Sequence, residues 1–513
     1  MLQRVERRAV REYAVLSLGV LLTALVASLF ALRRHDVYST AGFDLGIYDQ
    51  AIWLWSRFEP AVSTIRRVPN LFGDHFHPAL MLYAPLQWFG DGTRNLLVGQ
   101  TLVVTAAAFP IFRFARRRLA FAPALLLAVA YLTSWGVAIG LALDIHDTSW
   151  SALALAMVLE TYDRRARWPL AGAVLFLLLT REDQSLAVGM LGVIALFSAG
   201  RRREGAALLI AGFIWFIVAI KIVIPHFNLG RFEHWEYRNL APDVGGLVLL
   251  ALQKPWVILK ALVVPKVKLD TMIRTVAAFG FLPLLSPYAL LLLPTLAATL
   301  LSDTPARWEP YFHYWMPASV VGAVAAADGL GRLRARLAKR SPESENASTE
   351  KKFAPLIVGL ASVALLLGLR LSRHAPQRNL FRPLSPDDLQ IARDGDRLLS
   401  ALPPDASVSA TNNALGHLAH RRDVYFLRSG GFDAPGFTPV RAEYVIVDPR
   451  ALRSGGDWRG HPFHDPDYEL VRREGEWYLF HLRPGRTWAT GFQPQADGRS
   501  GRSDLRTADP VRR

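Results

Sequence analysis

"YAVLSLGVLLTALVASLFAL", residues 13–32, runs for twenty positions without a charged side chain. At 1.5 Å per helical residue this stretch covers roughly 30 Å, the thickness of a bilayer's hydrocarbon core. Four arginines precede it (Arg4, Arg7, Arg8, Arg11), which resembles a secretory leader. The apolar run is too long for a leader core, however, and no small-residue cleavage site follows, so it reads as a retained crossing. Similar runs recur at 95–113, about 119–141, 149–162, 168–180, 185–199, 205–224, about 244–265, 275–301, about 313–328 and 353–371. The expected fold is therefore a polytopic α-helical membrane protein with about eleven transmembrane helices.

Composition agrees. Of 513 residues 51% are hydrophobic, and the mean hydropathy is +0.20. The formal net charge is +16, but the basic residues cluster in short connections such as "RRR" at 116–118 and 201–203. That is the positive-inside pattern, which accounts for the charge without nucleic acid. There is no cysteine, so disulfides, thiolate metal sites and thiol nucleophiles are excluded. The arginine clusters place the N-terminus in the cytoplasm and the C-terminus outside, in a plasma (inner) membrane.

Residues 1–330 are expected to form a multispanning domain with a long first outer loop at 33–93. A polar cytoplasmic linker follows at 331–352, then the last crossing at 353–371. Beyond it, "DASVSATNNALGHLAHRRDVYFLR", "AEYVIVDPR" and "EGEWYLFHLR" alternate apolar runs with Pro, Asp and Asn, which predicts a small extracytoplasmic α/β domain at 372–486. The Gly/Arg/Asp-rich tail, 487–513, reads as disordered.

With this threading, the unusual polar residues fall on the outer side. Ionisable groups at a membrane edge mark functional cavities by default. "FDLGIYDQAIW" (43–53) carries Asp44 and Asp49; on one helix these lie about 140° apart, so one is a candidate general base and the other its support, with helix capping as the structural alternative. "GDHFHP" (73–78) offers Asp74, His75 and His77, and "DIHD" adds His146; these are candidate ligands for a divalent metal ion, although the spacing matches no closed zinc motif. "TRED" supplies Arg181, Glu182 and Asp183, and Arg231 and His313 lie in further outer loops. An arginine fork there suits a phosphate. No Walker loop, dinucleotide-binding glycine fingerprint or nucleophile elbow is present.

"FDLGIYDQAIW", "GDHFHPALMLYAPL", "LTREDQSLAVGMLG", "YFHYWMPASVVGA" and "LPPDASVSATNNALGHLAHRRDVY", in this order, resemble the membrane-protein family catalogued as domain of unknown function 2079. Its layout is similar to that of the GT-C glycosyltransferases. The resemblance implies a GT-C-like fold and transfer of a sugar from a polyprenyl-phosphate donor to an envelope glycan or protein acceptor at the outer leaflet. It places Asp44 at the catalytic acid, with "FDLG" where many GT-C members carry an adjacent acidic pair. A transporter or flippase of lipids or small molecules, or a non-catalytic envelope scaffold, are the alternative functions.

Overall fold

The computed structural model describes residues 2–230, 232–339, 347–427, 441–454 and 462–485. The predicted tail, 487–513, and residues 340–346 of the expected 331–352 linker lie outside these residues, while the rest of that linker continues the helices on either side, Met316–Lys339 and Ala347–Ser372. The chain forms two compact units. The first comprises 1–31, 72–82 and 97–381, and the second 32–71, 83–96 and 382 onward.

The first unit is helical. Five helices among the described residues are long and apolar enough to cross a membrane: Glu6–Asp36, Gly92–Arg116, Phe121–Ala142, Arg202–Phe227 and Phe353–Ser372. In the first, Leu16, Val20, Ala24, Ala27 and Ala31 are buried, while Leu18, Leu21, Leu22, Leu25 and Leu29 are exposed. A packed stripe at helical spacing beside an apolar exposed stripe is what a protein–lipid boundary demands.

Other predicted crossings became shorter helices, among them Thr148–Asp163, Arg167–Leu178 and Gln184–Leu196. The expected crossing at about 244–265 is instead two helices, Val244–Gln253 and Pro255–Val263, bent by 106°. Pro255 lacks the N–H that would continue the ladder and restricts Lys254 to a non-helical conformation, here φ −136° and ψ 61°. Counted as one broken span, this pair brings the total to six.

The helix Met316–Lys339 forms the centre of the unit: every residue from Met316 to Leu330 is buried. Its run "SVVGAVAAADGLG" owes this to small side chains, which let neighbouring backbones come close. A Cβ at Gly329 would lie 2.5 Å from the Leu282 carbonyl oxygen. The hairpin of Gln184–Leu196 and Arg202–Val218 is equally tight. Cβ atoms on Gly192, Gly205 and Gly212 would lie 2.4, 2.6 and 2.5 Å from backbone atoms of the facing helix.

The second unit carries a five-stranded sheet of β1 (Val408–Ala410), β2 (Val424–Phe426), β3 (Tyr444–Val447), β4 (Tyr468–Glu474) and β5 (Trp477–Leu482), in the order β2-β1-β3-β5-β4. β1 pairs in parallel with β2 and β3, whereas β5 is antiparallel to β3 and β4. The core on one face contains Leu427, Val445, Val447, Tyr468, Phe480 and Leu482. Part of the expected first loop joins this unit. Thr64 Oγ1 donates to the Val424 carbonyl at 2.6 Å and accepts from its N–H at 3.2 Å, which covers the β2 edge. On the other edge, β4 exposes Glu469, Arg472 and Arg473.

Candidate functional site

In the first unit, the loop 72–78 is drawn against the end of Arg202–Phe227. A Cβ on Gly73 would lie 2.6 Å from the Phe227 carbonyl oxygen, so glycine is what permits this approach. The Ala79 N–H donates to the Leu179 carbonyl at 3.0 Å, tying the loop to the turn that carries Arg181 and Glu182.

The two segments meet through side chains. Nδ1 of His75 donates to Glu182 Oε1 at 2.6 Å, and Glu182 Oε2 accepts from the Phe76 N–H at 3.1 Å. Arg181 Nη2 lies 3.4 Å from His75 Nε2, and its Nη1 lies 3.4 Å from Asp147 Oδ1. His234 stacks on His75 with ring centroids 4.0 Å apart, and its Nε2 donates to Asp74 Oδ1 at 2.9 Å. Asp74, His75, Asp147, Arg181 and Glu182 are all buried.

Burial lowers the His75 pKa to about 4, aided by the neighbouring His234. The ring is then neutral and carries its proton on Nδ1, where Glu182 accepts it. Burial pushes Glu182 up, but His75 and Arg181 outweigh this and bring it down to about 2. Burial likewise raises Asp147, yet the Arg181 guanidinium and His77 hold it well below the usual carboxylate range. The cluster is a set of fixed charges screened from water.

Asp74, His75 and His234 each bring one ligand atom to within 4.8 Å of the others. One carboxylate and two imidazoles fit a three-ligand divalent site with an open position. The Glu182–His75 bond fits as well, since metal-bound histidines commonly hand their other nitrogen to a carboxylate. This set overlaps the ligands expected from the sequence. Asp74 and His75 belong to it, His234 joins them, and two expected ligands stand elsewhere. Nδ1 of His77 lies 3.8 Å from Asp147. His146 stacks on His313 at 3.5 Å, and Gln100 holds its loop by accepting from the His146 N–H and donating to the Asp144 carbonyl.

His313 is buried. Asp183 lies 3.7 Å from Arg181 Nε. Arg231 lies outside the described residues.

The second unit holds the remaining two candidates. Asp44 is half-buried on the irregular turn Gly42–Gly46. A Cβ on Gly42 would lie 2.1 Å from Leu415 Cβ, and Asn412 Oδ1 accepts from the Phe43 N–H at 3.0 Å, which anchors this turn. Asp49, in the helix Ile47–Ser56, is fully buried. Its Oδ1 accepts from Gln87 Nε2 at 2.7 Å and His420 Nε2 at 3.0 Å, and its Oδ2 from Thr93 Oγ1 at 2.6 Å. Asp49 is thus enclosed by donors, which suits a supporting group better than a base in contact with substrate. Sequence reasoning missed His420 and His234 as partners. The histidines stood in view, but 371 and 160 residues separate them from Asp49 and Asp74.

The sequence profile of a family described as "Predicted membrane protein (DUF2079)" matches residues 34–482. The chain belongs to the DUF2079 family. Among curated proteins, none matches it significantly. The DUF2079 chain is similar in structure to ArnT from Cupriavidus metallidurans bound to undecaprenyl phosphate, with a TM-score of 0.52, 13% identity, and 91% of this chain and 98% of that chain covered. For ArnT in the apo state the TM-score is 0.53, with 13% identity and coverage of 92% and 98%. The Archaeoglobus fulgidus oligosaccharyltransferase in its apo form gives a TM-score of 0.38 at 13% identity, covering 79% of this chain and 64% of that one. At that identity the likeness to ArnT is one of overall fold.

Proposed function

We propose that this protein is a GT-C-type glycosyltransferase that moves a sugar from a polyprenyl-phosphate donor to an envelope acceptor at the outer leaflet. The observation that carries the reading is the buried cluster of Asp74, His75, Asp147, Arg181 and Glu182, with half-buried His234 against it, in a fold shared with ArnT, a protein solved with undecaprenyl phosphate. The membrane domain crosses about eleven times, with the N-terminus cytoplasmic and the C-terminal α/β domain outside.

The reaction joins an acceptor hydroxyl to the sugar's anomeric carbon and breaks the bond to the lipid phosphate. Two kinds of group assist: a base for the hydroxyl proton and fixed positive charge for the departing phosphate. Asp44 is the base, and Asp49 supports its segment. Arg181 is held as a rigid fork by Asp147 and Asp183 and meets the phosphate, with Glu182 setting the tautomer of His75. A divalent ion held by Asp74, His75 and His234 would supply further positive charge there. Prenyl burial, at about 0.8 kcal/mol per CH₂, retains the donor.

The test compares lipid-linked sugars and envelope glycans in cells with and without the protein. Loss of the protein is expected to leave a lipid-linked sugar unconsumed and one glycan unmodified. Asp44→Asn is expected to insert normally yet fail to restore transfer, and Asp74→Asn to fail likewise. Identical lipid and glycan profiles in both strains would sink the enzyme reading.

A further inference from the structure

The two helices that frame the buried cluster also reach a second polar site. Thr148–Asp163 begins just after Asp147 and, with 16 residues, ends about 24 Å away. Met316–Lys339 begins near His313 and runs to the same far end, where Arg118 bonds both Asp163 and Asp328. Here a recess of about 280 Å³ is lined by Arg117, Arg118, Arg332 and Arg334, together with Asp328 and Gly331. We propose that this recess binds the phosphodiester headgroup of an anionic phospholipid.

The ion-pair pattern gives the charge. Glu160 is shared by Arg113, Arg117 and Arg164; Asp163 by Arg117 and Arg118; and Asp328 by Arg118 and Arg332. Among the described residues, five guanidiniums thus divide three carboxylates. The acids hold the arginines in place and leave a net excess of positive charge, which matches a singly or doubly charged anion. Each guanidinium also has a planar fork suited to phosphate oxygens. Ser286 Oγ donates to Asp328 at 2.7 Å, so Asp328 is fixed from a third side. Gly331 leaves room for the Arg118 side chain in the lining, since a Cβ there would lie 3.0 Å from Arg118 Cβ.

The surroundings favour a lipid over a free ion. The turn Leu282–Leu285 leads directly into Ser286, which bonds Asp328 in the lining of the recess, and Leu284 in that turn is 66% exposed. An acyl chain can lie along that apolar surface while its headgroup enters the recess. Its volume is at the small end for a ligand pocket, which suits a headgroup. Basic residues at a membrane surface are attracted to anionic lipid in the same way.

The test titrates delipidated full-length protein with short-chain phosphatidylglycerol, short-chain phosphatidylcholine and inorganic phosphate, reading bound adducts by native mass spectrometry. Phosphatidylglycerol is expected to be retained in preference to the other two. Arg332→Gln combined with Arg334→Gln is expected to weaken retention roughly thirty-fold. Gly331→Glu keeps every arginine in the chain, with Arg118 giving way by a few tenths of an ångström, and adds a carboxylate beside the recess; it is expected to give a similar loss while the thermal midpoint shows the protein folded. Equal retention of the two lipids, or retention unchanged in folded variants, would overturn the proposal. Displacement by inorganic phosphate at equal concentration would overturn the lipid assignment.

Discussion

Arg181 lies among Asp147, Asp183 and the His75–Glu182 pair with almost no contact with solvent. Removing one member of a buried ion pair typically costs about 3–5 kcal/mol, because the partner charge stays buried. Arg181→Met is therefore expected to lower the thermal unfolding midpoint in detergent sharply, whereas Arg181→Lys keeps the charge and loses less. Asp49 and His420 give a pH signature. Burial opposes both charges, but their mutual attraction wins: Asp49 is held below its usual value and His420 above it, with Asp91 adding to the latter. The contribution of His420 is complete below its unfolded pKa, about 6.5, and disappears as pH rises through its raised folded value. That of Asp49 is complete above about 4 and disappears as pH falls through its lowered one. The midpoint difference between the wild type and His420→Gln is thus expected to be widest between about pH 4 and 6.5 and to narrow on either side. Asp49 could be singled out from its apolar neighbours in the sequence. Its imidazole partner could not, because nothing local marks which distant histidine a buried acid will meet.

Close backbone contact dominates the helical hairpin. Gly205 faces the Leu196 N–H with no room for a methyl group, since a Cβ there would lie 2.6 Å away. Overpacking of this kind costs about 1–3 kcal/mol. Gly205→Val is expected to lower the thermal midpoint, whereas Gly172→Val, where a Cβ meets nothing within 4 Å, is expected to leave it nearly unchanged. These elements were readable to different degrees. Glu6–Asp36 announces itself because it is apolar around much of its circumference and long enough to cross alone. Met316–Lys339 carries a weaker signal, for its buried face is built of alanine and glycine, whose hydropathy is modest. The bend between Val244–Gln253 and Pro255–Val263 was written in "QKPW", yet an apolar count that runs across a proline reads one crossing where the chain makes a sharp corner.

For the chain as a whole, the arginine distribution makes a prediction about sidedness. Reporter enzymes fused after Lys339 are expected to be active in the cytoplasm, and those fused after Arg483 to be active outside. The reverse pattern would invert the proposed topology. The sheet in the second unit bears on how whole molecules meet. One rim is taken up by Thr64, which exchanges both of its hydrogen bonds with Val424. The other carries Glu469, Arg472 and Arg473 on β4, beside a register shift between Leu470 and Arg472. Charge and irregular pairing at a rim discourage an incoming strand. Among the described residues, neither rim therefore offers a peptide or a neighbouring copy a regular uncharged ladder, which favours contact through the loops or faces of this domain.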